Sequence, residues 1–114
     1  MNIYRYETDG GKDLIKEYVD KLPAKQKAEA IGIQAKLQLD GLKALELMNT
    51  RQLKKKLWEI KFQSNRLMYV IADEDNFYIL HACKKQKGKA EQFELNKAVK
   101  RARELGRELG KSFV

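Results

Sequence analysis

The sequence predicts an α+β fold: a small, mostly antiparallel sheet with an N-terminal helical hairpin and a C-terminal helix, in the order β-α-α-β-β-β-α. Three observations predict it. Apolar residues between positions 14 and 39 recur at helical spacing, interrupted once by Pro23. Three apolar segments, "LWEIKF", "RLMYVIA" and "FYILHAC", then follow one another with only short polar connections between them. Helical spacing returns from Ala90 to Leu109.

The opening "NIYRY" alternates Ile3 and Arg5 against Tyr4 and Tyr6 and reads as a short strand. Thr8 or Asp9 can cap the first helix, whose Leu14, Ile15, Tyr18, Val19 and Leu22 share one face. Pro23 stops that helix and suits the start of the next, where its missing N–H costs nothing. The second helix is expected to bury the stripe Ala24, Ala28, Ile31, Ala35 and Leu39, with Gly41 as its C-terminal cap. Residues 42–56 hold leucines without a clean period and read as a loop with a helical turn, ending in the basic "RQLKKK".

In "LWEIKF", Trp58, Ile60 and Phe62 face one side and Glu59 and Lys61 the other. "RLMYVIA" and "FYILHAC" are apolar on both faces, and "DEDN" between them is a turn. Two such strands form the centre of an antiparallel meander, expected with the helices packed on one face of the sheet and something else on the other. Alternation sets His81 with Phe77, Ile79 and Cys83, so a core histidine with a hydrogen-bond partner is the expectation. The last helix carries Phe93, Leu95, Ala98, Val99, Ala102, Leu105 and Leu109.

A length of 114 residues suits a single domain, residues 1–114, with one core. One cysteine, Cys83, excludes an intrachain disulfide and a cysteine-rich zinc site. With no signal-peptide pattern and no apolar run of membrane length, a cytoplasmic protein is expected.

The net charge of +8 is unevenly spread. Residues 1–50 hold 8 Lys/Arg and 8 Asp/Glu, whereas residues 51–114 hold 16 and 8. Two segments concentrate it: 51–66, with six cations against Glu59, and 84–89, with Lys84, Lys85, Lys87 and Lys89. Segregated positive charge points to a polyanionic partner, nucleic acid above all, or to an acidic protein. Walker, GxGxxG and GxSxG motifs are missing, and no metal site or cofactor is expected. A set of cations is compatible with metal-free RNA cleavage, in which the 2′-hydroxyl attacks its own phosphodiester. The protein then aligns the attack, moves protons and offsets charge on the phosphate oxygens.

The run "LWEIKF…NRLMYVIAD…NFYILHACKKQK", a following helix with "KAVKRAREL" and an "LP" hinge between the first two helices resemble the HigB-like, phage-derived branch of the RelE/ParE toxin superfamily. The resemblance spans nearly the whole chain. It implies the toxin of a type II toxin–antitoxin pair: a ribosome-dependent mRNA endoribonuclease, held in a hetero-oligomer by a cognate antitoxin. By position it makes Arg66, Lys84 and Lys85 the catalytic candidates. Lys61 stands where the family commonly has arginine, and Lys87 matches the lysine beyond the pair. Lys61, Lys87 and Lys89 are expected to position nucleic acid, with Lys54, Lys55 and Lys56 as an RNA- or ribosome-facing patch. Where the family often has Thr-Pro before its last helix, this chain has "GKAEQ". The same superfamily includes ParE-type gyrase inhibitors, and a non-catalytic basic binding module would share the charge pattern.

Overall fold

The computed structural model describes all 114 residues. Strand β1 (Asn2–Arg5) leads to helices α1 (Leu14–Asp20) and α2 (Ala24–Asp40). A 3-10 segment (Gly41–Leu47) follows. Strands β2 (Asn49–Lys54), β3 (Leu57–Phe62), β4 (Asn65–Asp73) and β5 (Asn76–Lys84) precede helix α3 (Lys89–Leu109). The sheet order is β1-β5-β4-β3-β2. Every pairing is antiparallel except that of β1 with β5.

The sheet separates two apolar cores. On one face the hairpin buries Ile15, Val19, Leu22, Ala30 and Leu37 against Ile60, Phe62, Leu67, Tyr69, Phe77 and Ile79. On the other, α3 lays Ala98, Val99 and Ala102 over Leu57, Met68, Val70, Leu80 and Cys83. The helices therefore cover both faces of the sheet, not one as expected: the second apolar face of β4 and β5 is buried by α3.

Four further expectations need correction. Residues 49–54 are strand β2, not loop; its alternation is hidden by a bulge at Leu53 and by side chains that mostly face solvent. The α1 cap is Asp13, whose carboxylate accepts the Lys16 N–H at 2.8 Å, since Gly11 turns the chain before the helix can start. In α2 the buried side is Ala30 and Leu37, with Ile33 half-buried, and the stripe from Ala24 to Leu39 is exposed. Both stripes have helical spacing, so periodicity alone does not choose between them.

The fourth correction decides the geometry of the site. Met68 pairs with His81 but Tyr69 pairs with Ile79, leaving Leu80 as an extra residue in β5. Leu80 and His81 consequently both face α3, and alternation resumes beyond them with its phase shifted. His81 shares its face with Cys83 but not with Phe77 and Ile79. Pro23 caps the start of α2, and Gly41, with φ of 68°, closes its end.

Candidate functional site

A cleft of about 290 Å³ opens at one end of the sheet on the α3 face. Cross-strand register builds it. Lys61 pairs with Arg66 and Arg66 with Cys83, while Arg51 pairs with Glu59 and Glu59 with Met68. Glu91 and Glu94 close the cleft from α3, and the connection carrying Lys85 and Lys87 forms its rim.

At the floor lies Glu59, 1% exposed. Its Oε2 is 2.9 Å from Arg51 Nε and 3.7 Å from Arg66 Nε, and no well-oriented hydrogen bond reaches it. A buried carboxylate survives because it is paired, and here two guanidinium groups supply the pairing. Arg51 also reaches Glu91 Oε1 at 2.9 Å. Arg66 donates to the Asn65 carbonyl at 2.8 Å and the Gln63 carbonyl at 3.4 Å. It forms no ion pair with Asp73, which instead accepts from the amide of Asn76 and the N–H of Asp75.

Lys61, Lys85 and Lys87 also line the cleft, and none of them has an ion-pair or side-chain hydrogen-bond partner. The Lys85 backbone N–H is tied to the Ser64 carbonyl at 2.7 Å, which pins the connection beside the β3–β4 turn.

The sequence-predicted candidates do not all converge. Lys84 is adjacent in sequence to Lys85 and shares the cleft lining, but its ammonium points to the hairpin face. There it donates to Asn65 Oδ1 at 2.9 Å, beside Tyr18, whose hydroxyl is 2.6 Å from the same oxygen. Lys54 ends β2, and Lys55 and Lys56 form the β2–β3 turn, at the opposite end of β3 from Lys61. Lys55 takes a φ of 52° there, and the Lys56 N–H holds the Phe113 carbonyl. Lys89 opens α3 at the edge of the rim. Arg51 and Glu59 were not among the sequence candidates. Glu59 is the one acid in "LWEIKF", but its partner Arg51 becomes visible only once β2 is recognised as a strand.

Behind the cleft, His81 Nε2 lies 2.7 Å from Glu94 Oε2, and Arg101 Nη1 lies 2.9 Å from His81 Nδ1. Arginine can only donate, so Nδ1 accepts and Nε2 carries the proton that it donates to Glu94. Burial lowers the His81 pKa, against the opposing pull of Glu94, and the imidazole is neutral at neutral pH. Burial also pushes the Cys83 thiol up to about 12. The donor atoms of His81, Cys83 and Glu94 lie within 4.8 Å of one another. They do not fit a metal as arranged: Arg101 donates to the nitrogen that would have to carry a hydrogen once Nε2 bound an ion.

The family model described as "Phage derived protein Gp49-like (DUF891)" matches residues 17–103. That stretch holds the end of α1, all of α2, the strands of the cleft and most of α3. No curated protein matches the chain.

Proposed function

Because the chain belongs to the phage-derived Gp49-like family, within the RelE/ParE-like toxin superfamily, we propose that it is the toxin of a toxin–antitoxin pair, in the HigB-like branch, and a metal-independent endoribonuclease that cuts translated mRNA on the ribosome. The chain acts as one domain over residues 1–114, in the cytoplasm, until a cognate antitoxin neutralises it in a hetero-oligomer. The supporting observation is the cleft itself: Lys61, Lys85 and Lys87, without partners of their own, surround Arg66. Such unpaired cations, one on β3 and two on the connection after β5, are suited to a phosphodiester.

In this reading the RNA 2′-oxygen attacks the adjacent phosphorus and the P–O5′ bond breaks, giving a cyclic phosphate and a 5′-hydroxyl. Arg66 and Lys85 offset charge on the non-bridging oxygens, and Lys61 and Lys87 hold the backbone in line. Glu59 orients Arg51 and Arg66 from below. Of the carboxylates lining the cleft, Glu91 is the exposed one, against 1% for Glu59 and 17% for Glu94. It takes the 2′-hydroxyl proton, and an ammonium of the lysine trio returns one to the 5′-oxygen. Lys84 supports the strand end from the other face, and Lys54–Lys56 and Lys89 provide diffuse attraction to the polyanion.

The test is expression of the wild type and of Arg66→Ala/Lys85→Ala, with new 5′ ends mapped on translated mRNAs. Wild-type-specific ends that vanish in the variant are expected. Intact mRNA accompanied by supercoiling defects would move the target to gyrase, and toxicity that survives the double substitution would sink the site assignment.

A further inference from the structure

Arg51 is held between two acids of the cleft. Glu59 Oε2 lies 2.9 Å from its Nε, and Glu91 Oε1 accepts from its Nη2 at 2.9 Å. The second contact joins the edge strand β2 to the first turn of α3, and its two side chains are 46% and 45% exposed. The two contacts are not equivalent. The one to Glu91 is a well-oriented hydrogen bond. The one to Glu59 is close but misaligned, so that neither solvent nor a hydrogen bond reaches Glu59 Oε2. A buried carboxylate oxygen without a donor is rare and costs stability. Glu91 thus turns the guanidinium outward, and Glu59 goes without.

The outer partner is replaceable. An exposed ion pair contributes little and yields to a better anion. A phosphodiester presents two non-bridging oxygens and takes an arginine fork bidentately. Glu91 also loses little by leaving. It is the third residue of α3, the position from which a glutamate meets the free N–H groups of a helix start. Gly88 brings no side chain to cap those groups, and the positive end of the helix holds the freed charge.

We propose that Arg51 is a further substrate-binding residue of the cleft, masked by Glu91 in the free protein, and that an RNA phosphate displaces Glu91 from it. The proposal rests on reading the cleft as the RNA site. The exchange has two consequences. Arg51 turns back into line with Glu59 while its outer N–H groups hold the phosphate, and the buried oxygen gains its donor. Glu91 is released from its arginine only when RNA is in place, and the carboxylate is then free to take the 2′-hydroxyl proton. Binding of the strand and arming of the base are one event.

The experiment measures binding by fluorescence anisotropy, with the full-length chain and a labelled single-stranded 2′-O-methyl RNA, which has no nucleophile and stays intact. Arg51→Gln should weaken binding about tenfold, as loss of a charge-assisted contact does. Glu91→Gln should tighten it about twofold to fivefold, the worth of an exposed pair. Removing any negative charge favours RNA, so the coupling decides: in the Arg51→Gln background, Glu91→Gln should gain nothing. Should Arg51→Gln fail to fold over an unpaired Glu59, Arg51→Gln/Glu59→Gln removes both charges and gives the same comparison. An equal gain from Glu91→Gln with and without Arg51 would mean plain charge repulsion and overturn the exchange, as would weaker binding by Glu91→Gln. Binding that Lys61→Ala/Lys85→Ala leaves at the wild-type level would take RNA out of the cleft and sink the functional reading together with this proposal. Binding that needs those lysines but shows no coupling would sink the proposal alone.

Discussion

Glu59 is almost wholly buried, yet its Oε2 lies 2.9 Å from the Nε of Arg51, a residue on the edge strand with a half-exposed side chain. The edge strand is thereby tied electrostatically to the centre of the sheet. Replacing Glu59 by Gln keeps the shape and removes the charge that Arg51 and Arg66 share. The expected loss is about 1–3 kcal/mol of stability, read as a lower urea midpoint with an unchanged m-value. A change below about 0.5 kcal/mol, the usual scatter for surface substitutions, would show that the pairing contributes little.

Lys84 and Lys85 are neighbours with separate duties. Lys85→Ala should reduce mRNA cleavage about a hundredfold, as loss of a transition-state charge does, and leave the melting temperature unchanged. Lys84→Ala should instead cost about 1 kcal/mol, because the buried Asn65 Oδ1 loses a donor, while cleavage by the folded fraction persists. The reverse pattern in primer extension and thermal melts would reassign the two.

The folded pKa of His81 lies below its ordinary value of 6.5, with burial as the main cause. Below pH 6.5 the unfolded chain takes up a proton that the folded chain resists. The unfolded state thus binds more protons, and stability contributed by neutral His81 is present above that pH and lost as pH falls through the folded pKa. Across pH 7 to 5 the wild type should lose more stability than His81→Gln, measured by denaturant titration at each pH. Parallel curves would mean that Glu94 compensates the burial fully.

Gly106 packs directly against the chain end. The Lys111 N–H donates to the Gly106 carbonyl at 2.9 Å, and a Cβ on Gly106 would collide with the Lys111 carbonyl oxygen. Phe113, 3% exposed, lies in the α3 core just beyond. Gly106→Ala should therefore destabilise by about 1–3 kcal/mol through overpacking, although alanine is the better helix former. A raised melting temperature would show that the last residues yield freely.

The order of helices and strands was legible because periodicity and turn chemistry agree in most of the chain, as at Pro23, Gly41 and "DEDN". The side of α2 that is buried was not legible, since its two stripes have equal spacing and only the sheet distinguishes them. β2 escaped notice because an edge strand with one half-buried Leu53 and a bulge has no alternation to read. At the cleft, Arg66 and Lys85 could be picked from charge and family pattern. The grouping of Lys84 with Arg66 could not be judged, because it depends on one extra residue at Leu80 that adjacent residues do not announce.

That extra residue sets parity for everything after it. In a strand without the insertion, this same order of residues would turn His81 into the hairpin core and aim Lys84 at Arg66. The count of residues from Phe77 to Lys84 is thus as informative as their identities. It assigns odd and even positions to two different interiors, and it decides which lysine of a pair faces the cleft.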